Sequence, residues 1–221
     1  MRAPVDLIAW IESVQARFQA EGAARDYAWM EKRLVKSFYE EIVPLGNLAR
    51  HKYLGKRGFL LRPKIGDQNY DAEMIDTSFG DERIMRIEFT STYRDDDLAL
   101  REEFRAQHRG GFMTGSVSRD GTKASGGQVQ VHPDFVDHQI RLDELMATSD
   151  ERVANKLGKD YARGTLLAIV FDDTILYPTD IPPITQYFRD RLSKQALRKF
   201  CGVFILGASG RTFLEFGETD L

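Results

Sequence analysis

The residues best placed to do chemistry lie between positions 69 and 93, which read NYDAEMIDTSFGDERIMRIEFTSTY. Two segments of alternating character flank a turn at Gly80-Asp81. In the first, the alternation sends Tyr70, Ala72 and Met74 to one side and Asp71 and Glu73 to the other. In the second, Met85, Ile87 and Phe89 oppose Arg86, Glu88 and Thr90. Paired as a hairpin, Asp71 and Glu88 share the polar face of neighbouring strands. Two carboxylates held that close repel one another, and both stay ionised only with positive charge beside them. A divalent cation is the usual source of such charge. The alternative is a solvated outer face in which Asp71, Glu73, Arg86 and Glu88 form cross-strand ion pairs.

The elements that must position this hairpin follow from periodicity. Residues 4–21 and 24–43 read as amphipathic helices, the second with a stripe of Met30, Leu34, Phe38 and Ile42 and a stop at Pro44 and Gly46. An irregular basic segment, 47–58, precedes strands at 59–65, 69–79 and 83–93. Pro63 suits an edge strand. Asp95, Asp96 and Asp97 suit the N-terminus of a helix over 96–108. Residues 112–131, rich in Gly, Ser and Thr, read as a long loop or a small hairpin turning at Asp120-Gly121. A helix over 139–162, broken near Ser149-Asp150, leads to the apolar run TLLAIVF (165–171), which fits a strand buried on both faces. A helix over 182–199 and strands at 202–207 and 211–216 complete the chain. The expected fold is one α/β domain over 1–221, a mixed central β-sheet flanked by helices. It carries an N-terminal helical segment, 1–46, and a loop or hairpin insertion, 109–138.

Composition narrows the function classes. The chain has 221 residues, 42% of them hydrophobic, and a net charge of −3. That is enough chain for a real core, and the charge leaves room only for local basic patches. Cys201 is the single cysteine, which excludes an internal disulfide and a multi-cysteine zinc site, and its apolar setting predicts a small core residue. His51, His108, His132 and His138 lack metal-ligand spacing. No P-loop and no G-x-S-x-G motif is present. Asp172-Asp173 follow the buried strand and read as the start of a turn. No apolar run is long enough to span a bilayer, and no signal peptide opens the chain, so the expectation is a soluble cytoplasmic protein without membrane contact.

Cations that could meet phosphate are Lys52, Lys56 and Arg57 in the first basic segment and Arg119 and Lys123 in the Gly-rich stretch. Solvated surface charge is the plainer alternative for both groups.

In the order of its elements and the placement of its acids, the chain resembles the PD-(D/E)xK nuclease superfamily, whose fold is restriction-endonuclease-like. Tyr70-Asp71-Ala72 stands where that family has its early Asp, and Glu88-Phe89-Thr90 where it has its (D/E)xK tripeptide. The segments KLGKDYARGTLLAIVF and GVFILG are also similar to members of it, and the resemblance runs over residues 24–207. It implies a Mg²⁺- or Mn²⁺-dependent endonuclease cleaving DNA, with Asp71 and Glu88 holding the metal and Glu31 of the second helix assisting. The chain departs from the motif at Thr90, where the family has its lysine. Lys156 or Lys159 would take that role, ahead of Arg86 or Lys64. A homodimer is compatible with this reading. Two other readings stay open: a nuclease-like scaffold without activity that serves as a binding or assembly module, and an unrelated α/β domain whose acids form structural ion pairs.

Overall fold

The computed structural model describes residues 1–19, 37–64, 69–78, 80–93, 104, 116–121, 128–132 and 137–217. Its centre is a six-stranded mixed sheet in the order β1-β2-β3-β6-β7-β8. The strands are β1 (Phe59–Pro63), β2 (Ala72–Asp76), β3 (Arg83–Ser91), β6 (Thr165–Phe171), β7 (Gly202–Gly207) and β8 (Phe213–Gly217). The first three form an antiparallel meander, β6 and β7 run parallel to β3, and β8 returns antiparallel. A separate two-stranded pair joins β4 (Ser116–Arg119) to β5 (Val129–His132). The expected α/β fold, a mixed sheet between helices, is what forms.

Alternation along the central strands divides the core in two. Leu166, Ala168 and Val170 of β6 join Phe204 and Leu206 of β7 on one face, against α1 (Pro4–Gln19) and a helical run over 38–53, here α2. Leu167, Ile169 and Phe171 join Val203 and Ile205 on the other, against α3 (His138–Leu157) and α4, the run over 181–196. All seven residues of β6 are buried, as the unbroken apolar run required. β1 is an edge strand, in keeping with Pro63, and Arg2 bridges to its Leu61.

Several boundaries differ from the sequence expectation. Pro44 and Gly46 do not stop the second helix. The run passes from a π-helical turn, Phe38–Ile42, through an α-helical segment, Val43–Leu48, to a second π-helical turn, Ala49–Tyr53. Pro44 sits where the hydrogen-bond register changes, so its missing N–H interrupts little. Gly46 admits close approach of α1, since a Cβ there would lie 2.6 Å from Ile11 Cδ1. Residues 49–53 are therefore helical, not irregular.

Helix α3 is unbroken at Ser149, whose buried hydroxyl donates to the Leu145 carbonyl. Asp137 caps its start by accepting from the Gln139 N–H at 2.8 Å. The carboxylate of Asp172 caps a short 3₁₀ turn, as a turn-forming acid would. Cys201 is exposed, not core, because it precedes the first buried residue of β7. The helix expected over 96–108 lies, apart from Phe104, outside the described residues, as does the first part of the helix expected over 24–43. Among the described residues, no helix is long and apolar enough to cross a membrane.

Candidate functional site

The hairpin register fixes the site. Ala72 pairs with Ile87 and Glu73 with Arg86, so Asp71 stands opposite Glu88 where β2 begins and β3 nears its end. The Asp71 N–H donates to the Ile87 carbonyl at 2.9 Å, extending the ladder one residue beyond β2. Its side chain then takes over a ladder bond: the Phe89 N–H donates to Asp71 Oδ2 at 2.6 Å. This fixes the carboxylate against the β3 backbone. Strand alternation fails one residue earlier. The Tyr70 hydroxyl donates to Glu73 Oε1 at 2.6 Å, so Tyr70 joins the charged side chains rather than Ala72 and Met74.

Glu88 is buried at 6% exposure and is held from the facing helix. Lys156, in the last turn of α3, donates to Glu88 Oε1, and the Tyr161 hydroxyl donates to the same oxygen at 3.1 Å. A buried carboxylate needs such partners. Leu142, Leu145, Ser149 and Val153 are the buried residues of α3, and their spacing of three and four sets which side of the helix meets the sheet. Lys156, three residues beyond Val153, then falls beside β3. Arg152, one turn earlier, donates to the Tyr93 carbonyl at 3.2 Å and ties the same helix to the chain beyond β3.

Around these groups lies a cleft of about 520 Å³, lined by Glu40 and Glu41 of α2, Asp71, residues 89–91 and Tyr93, and Arg152, Asn155, Lys156 and Lys159. It opens at the carboxyl end of β3, where ligands of α/β sheets commonly bind. Burial, reinforced by the Glu88 charge, pushes the Asp71 carboxyl up to about 6, although Phe89 N–H, Lys156 and Lys159 act against the shift. Burial, then the Asp71 charge, pushes Glu41 up to about 7, with a weaker opposing bond from the Ser37 hydroxyl. Both displacements are owed first to burial and second to a neighbouring carboxylate.

The structure thus brings together four of the residues singled out from sequence: Asp71, Glu88, Lys156 and Lys159. It does not bring the basic segment with them. Lys52 pairs with Glu215 and lies over the Phe204 ring, and Lys56 lies over Tyr53. Both sit at the far end of α2, roughly 15 Å along the helix from Glu41 by helical rise. Arg57 is exposed beyond them. Arg119 ends β4, outside the residues that line the cleft. Glu31 and Lys123 lie outside the described residues.

Of the other cations considered for Thr90's place, Lys64 pairs with Glu73 at 3.4 Å and Arg86 lies over the Tyr70 ring. Thr90 itself is buried at the cleft.

Two contributors escaped the sequence reading. Glu41 had a signal: Phe38, Ile42 and Leu45 are buried at helical spacing, and Glu41 is an acid within that stripe. Tyr161 had none, because its role depends on how the turn after α3 folds back.

Among the described residues, no three His, Cys, Asp or Glu side chains form a group able to hold a metal. The donors on offer are the carboxylates of Asp71 and Glu88, with one Glu88 oxygen already engaged. That set suits Mg²⁺, which binds through one or two carboxylates and keeps several waters or phosphate oxygens. No protein-family model, curated protein or solved structure matches the chain.

Proposed function

We propose that this chain is a metal-dependent nuclease-like protein that hydrolyses DNA phosphodiester bonds with Mg²⁺ or Mn²⁺. One observation carries the reading: Asp71 and Glu88 stand opposite one another on adjacent strands, with the Lys156 ammonium on Glu88, beside a cleft that Asp71 and Lys156 both line. A bound cation would polarise a phosphate and lower the pKa of a coordinated water.

The protein's own groups do the remaining work. Phe89 N–H and Tyr161 fix the two carboxylates before substrate arrives. Lys156 supplies from α3 the positive charge that Thr90 cannot, and it can neutralise charge developing on a phosphate. Lys159 and Arg152 add cations on the same side of the cleft. The likeness to PD-(D/E)xK nucleases rests on this arrangement of residues and on the order of elements.

A second reading, an inactive nuclease-like module for binding or assembly, is favoured by the same ion pair. Lys156 already compensates Glu88 without a metal, and position 90 holds Thr.

Nicking of supercoiled plasmid separates the two. The first reading expects nicking with Mg²⁺ or Mn²⁺, abolished in Asp71→Ala and in Glu88→Ala. Nicking that persists in both variants would remove the site from consideration. A folded protein that binds DNA yet never nicks it would establish the second reading.

A further inference from the structure

The cleft poses a problem for any polyanion. Glu40, Glu41 and Asp71 line it beside Arg152, Lys156 and Lys159, and Lys156 is already engaged by Glu88, so a polyanion gains from further cations alongside. Among the described residues, Lys52, Lys56, Arg57 and Arg119 do not line the cleft.

The sheet itself offers another source. On the face that carries Glu88, the next rung is Arg62, Glu73 and Arg86, one from each of β1, β2 and β3. Lys64 follows Arg62 by two residues and reaches the same carboxylate. Three cations therefore surround a single acid. Arg62 and Lys64 both pair with Glu73, which is nearly covered at 9% side-chain exposure, while Arg62 keeps 43%. Arg86, opposite Glu73 in register, lies over the Tyr70 ring at 5.2 Å, and its Nε is buried without a hydrogen-bond partner. Three cations to one acid leave this rung with net positive charge.

Resting on the nuclease reading, we infer that Arg62, Lys64 and Arg86 form the track along which the phosphate backbone of the substrate DNA reaches Asp71 and Glu88. The spacing suits it. Arg62 and Arg86 stand two strands apart, about 10 Å, so their side chains can meet successive or alternate phosphates. Glu73 sets the geometry: it holds Arg62 and Lys64 in place and lowers the charge of the face by one. In an acidic protein this local surplus is what a polyanion would find.

The test is fluorescence anisotropy with a labelled DNA duplex in EDTA, where nothing is cleaved, titrated from about 50 to 200 mM salt. Arg62→Ala and Arg86→Gln should each weaken binding and reduce the slope of log K against log salt by about one. Glu73→Gln should act in the opposite direction and tighten binding, a change that mere loss of structure would not produce. Melting curves establish that each variant is folded at the assay temperature. Lys56→Ala and Arg57→Ala should leave affinity unchanged.

Absence of DNA binding by the wild-type protein would overturn the inference. So would binding that ignores the three sheet variants or depends on Lys56 and Arg57. These outcomes are separable from the fate of the nuclease reading. Binding with the expected signs but without nicking in Mg²⁺ retains the track and removes the activity. Nicking with binding indifferent to Arg62, Glu73 and Arg86 does the reverse.

Discussion

At the scale of single residues, the Lys156–Glu88 pair decides most. Both side chains are largely buried, at 17% and 8% exposure. Lys156→Ala leaves Glu88 beside Asp71 without its cation and with the Tyr161 hydroxyl as the remaining side-chain donor shown. Breaking a buried pair in this way should cost about 3 kcal/mol, read by urea unfolding. Plasmid nicking should fall to background in the same variant. The companion experiment returns a lysine to position 90. Thr90 lies two residues from Glu88 on the same strand face and lines the cleft, so a lysine there enters the same space. Thr90→Lys in the Lys156→Ala background should regain part of the nicking. No regain in a folded double variant would show that the ammonium matters for structure and not for the reaction. Legibility at this scale was uneven. Asp71 and Glu88 could be found because strand alternation and a turn determine register. Lys156 could only be narrowed to two lysines, since which of them meets the sheet depends on where α3 ends. Glu31 was marked as a helical acid and lies outside the described residues, whereas Glu41, an acid on the buried stripe of the described helix, was not marked.

At the scale of elements, the site is positioned by α3 against β3 and by the turn between α3 and β6. Helix α3 read as broken because Ser149 and Asp150 are poor in helix interiors. The Ser149 hydroxyl, however, bonds back to Leu145, which removes its competition with the backbone. Leu145 also anchors the helix to the second core, so Leu145→Ala should lower stability by about 2–4 kcal/mol by chemical denaturation. Nicking by the folded fraction should drop as well, because Lys156 sits on the same helix three turns later. Beyond the carboxyl end of β6, Asp173 accepts from the Ser209 N–H at 2.9 Å and from the Ser209 and Thr212 hydroxyls. A Cβ on Gly207 would run into that carboxylate. Gly207→Ala should therefore cost about 1–3 kcal/mol, and unchanged stability would mean that the Asp173 bonds contribute little. The long helical run over 38–53 was the element least legible in the sequence. Proline and glycine ordinarily end helices, and only packing against α1 and the sheet overrides that preference.

At the scale of the whole molecule, the carboxyls divide into two populations whose effects on stability oppose one another. Burial alone would raise Glu73, but hydrogen bonds from Tyr70, Arg62 and Lys64 outweigh it and hold the group at about 2. A carboxyl depressed in the folded state stabilises above its unfolded value, near 4.5. That contribution is lost as pH falls toward 2. Asp71, at about 6, and Glu41, at about 7, behave in the reverse sense. Between their unfolded values near 4 and these raised values, the folded protein binds more protons than the unfolded chain. Stability therefore falls as pH rises through that window. The metal-free protein should be most stable near pH 4–5, lower than is usual. A divalent cation bound to the ionised site changes this balance, because it favours the state with both protons released. Added Mn²⁺ should raise the melting temperature more at pH 7 than at pH 5 and flatten the decline between them. Glu88→Ala should remove the response to Mn²⁺ while leaving the loss below pH 4, which belongs to Glu73 and its cations on the open sheet face. A stabilisation by Mn²⁺ that is equal at both pH values, or that survives Glu88→Ala, would place the ion elsewhere.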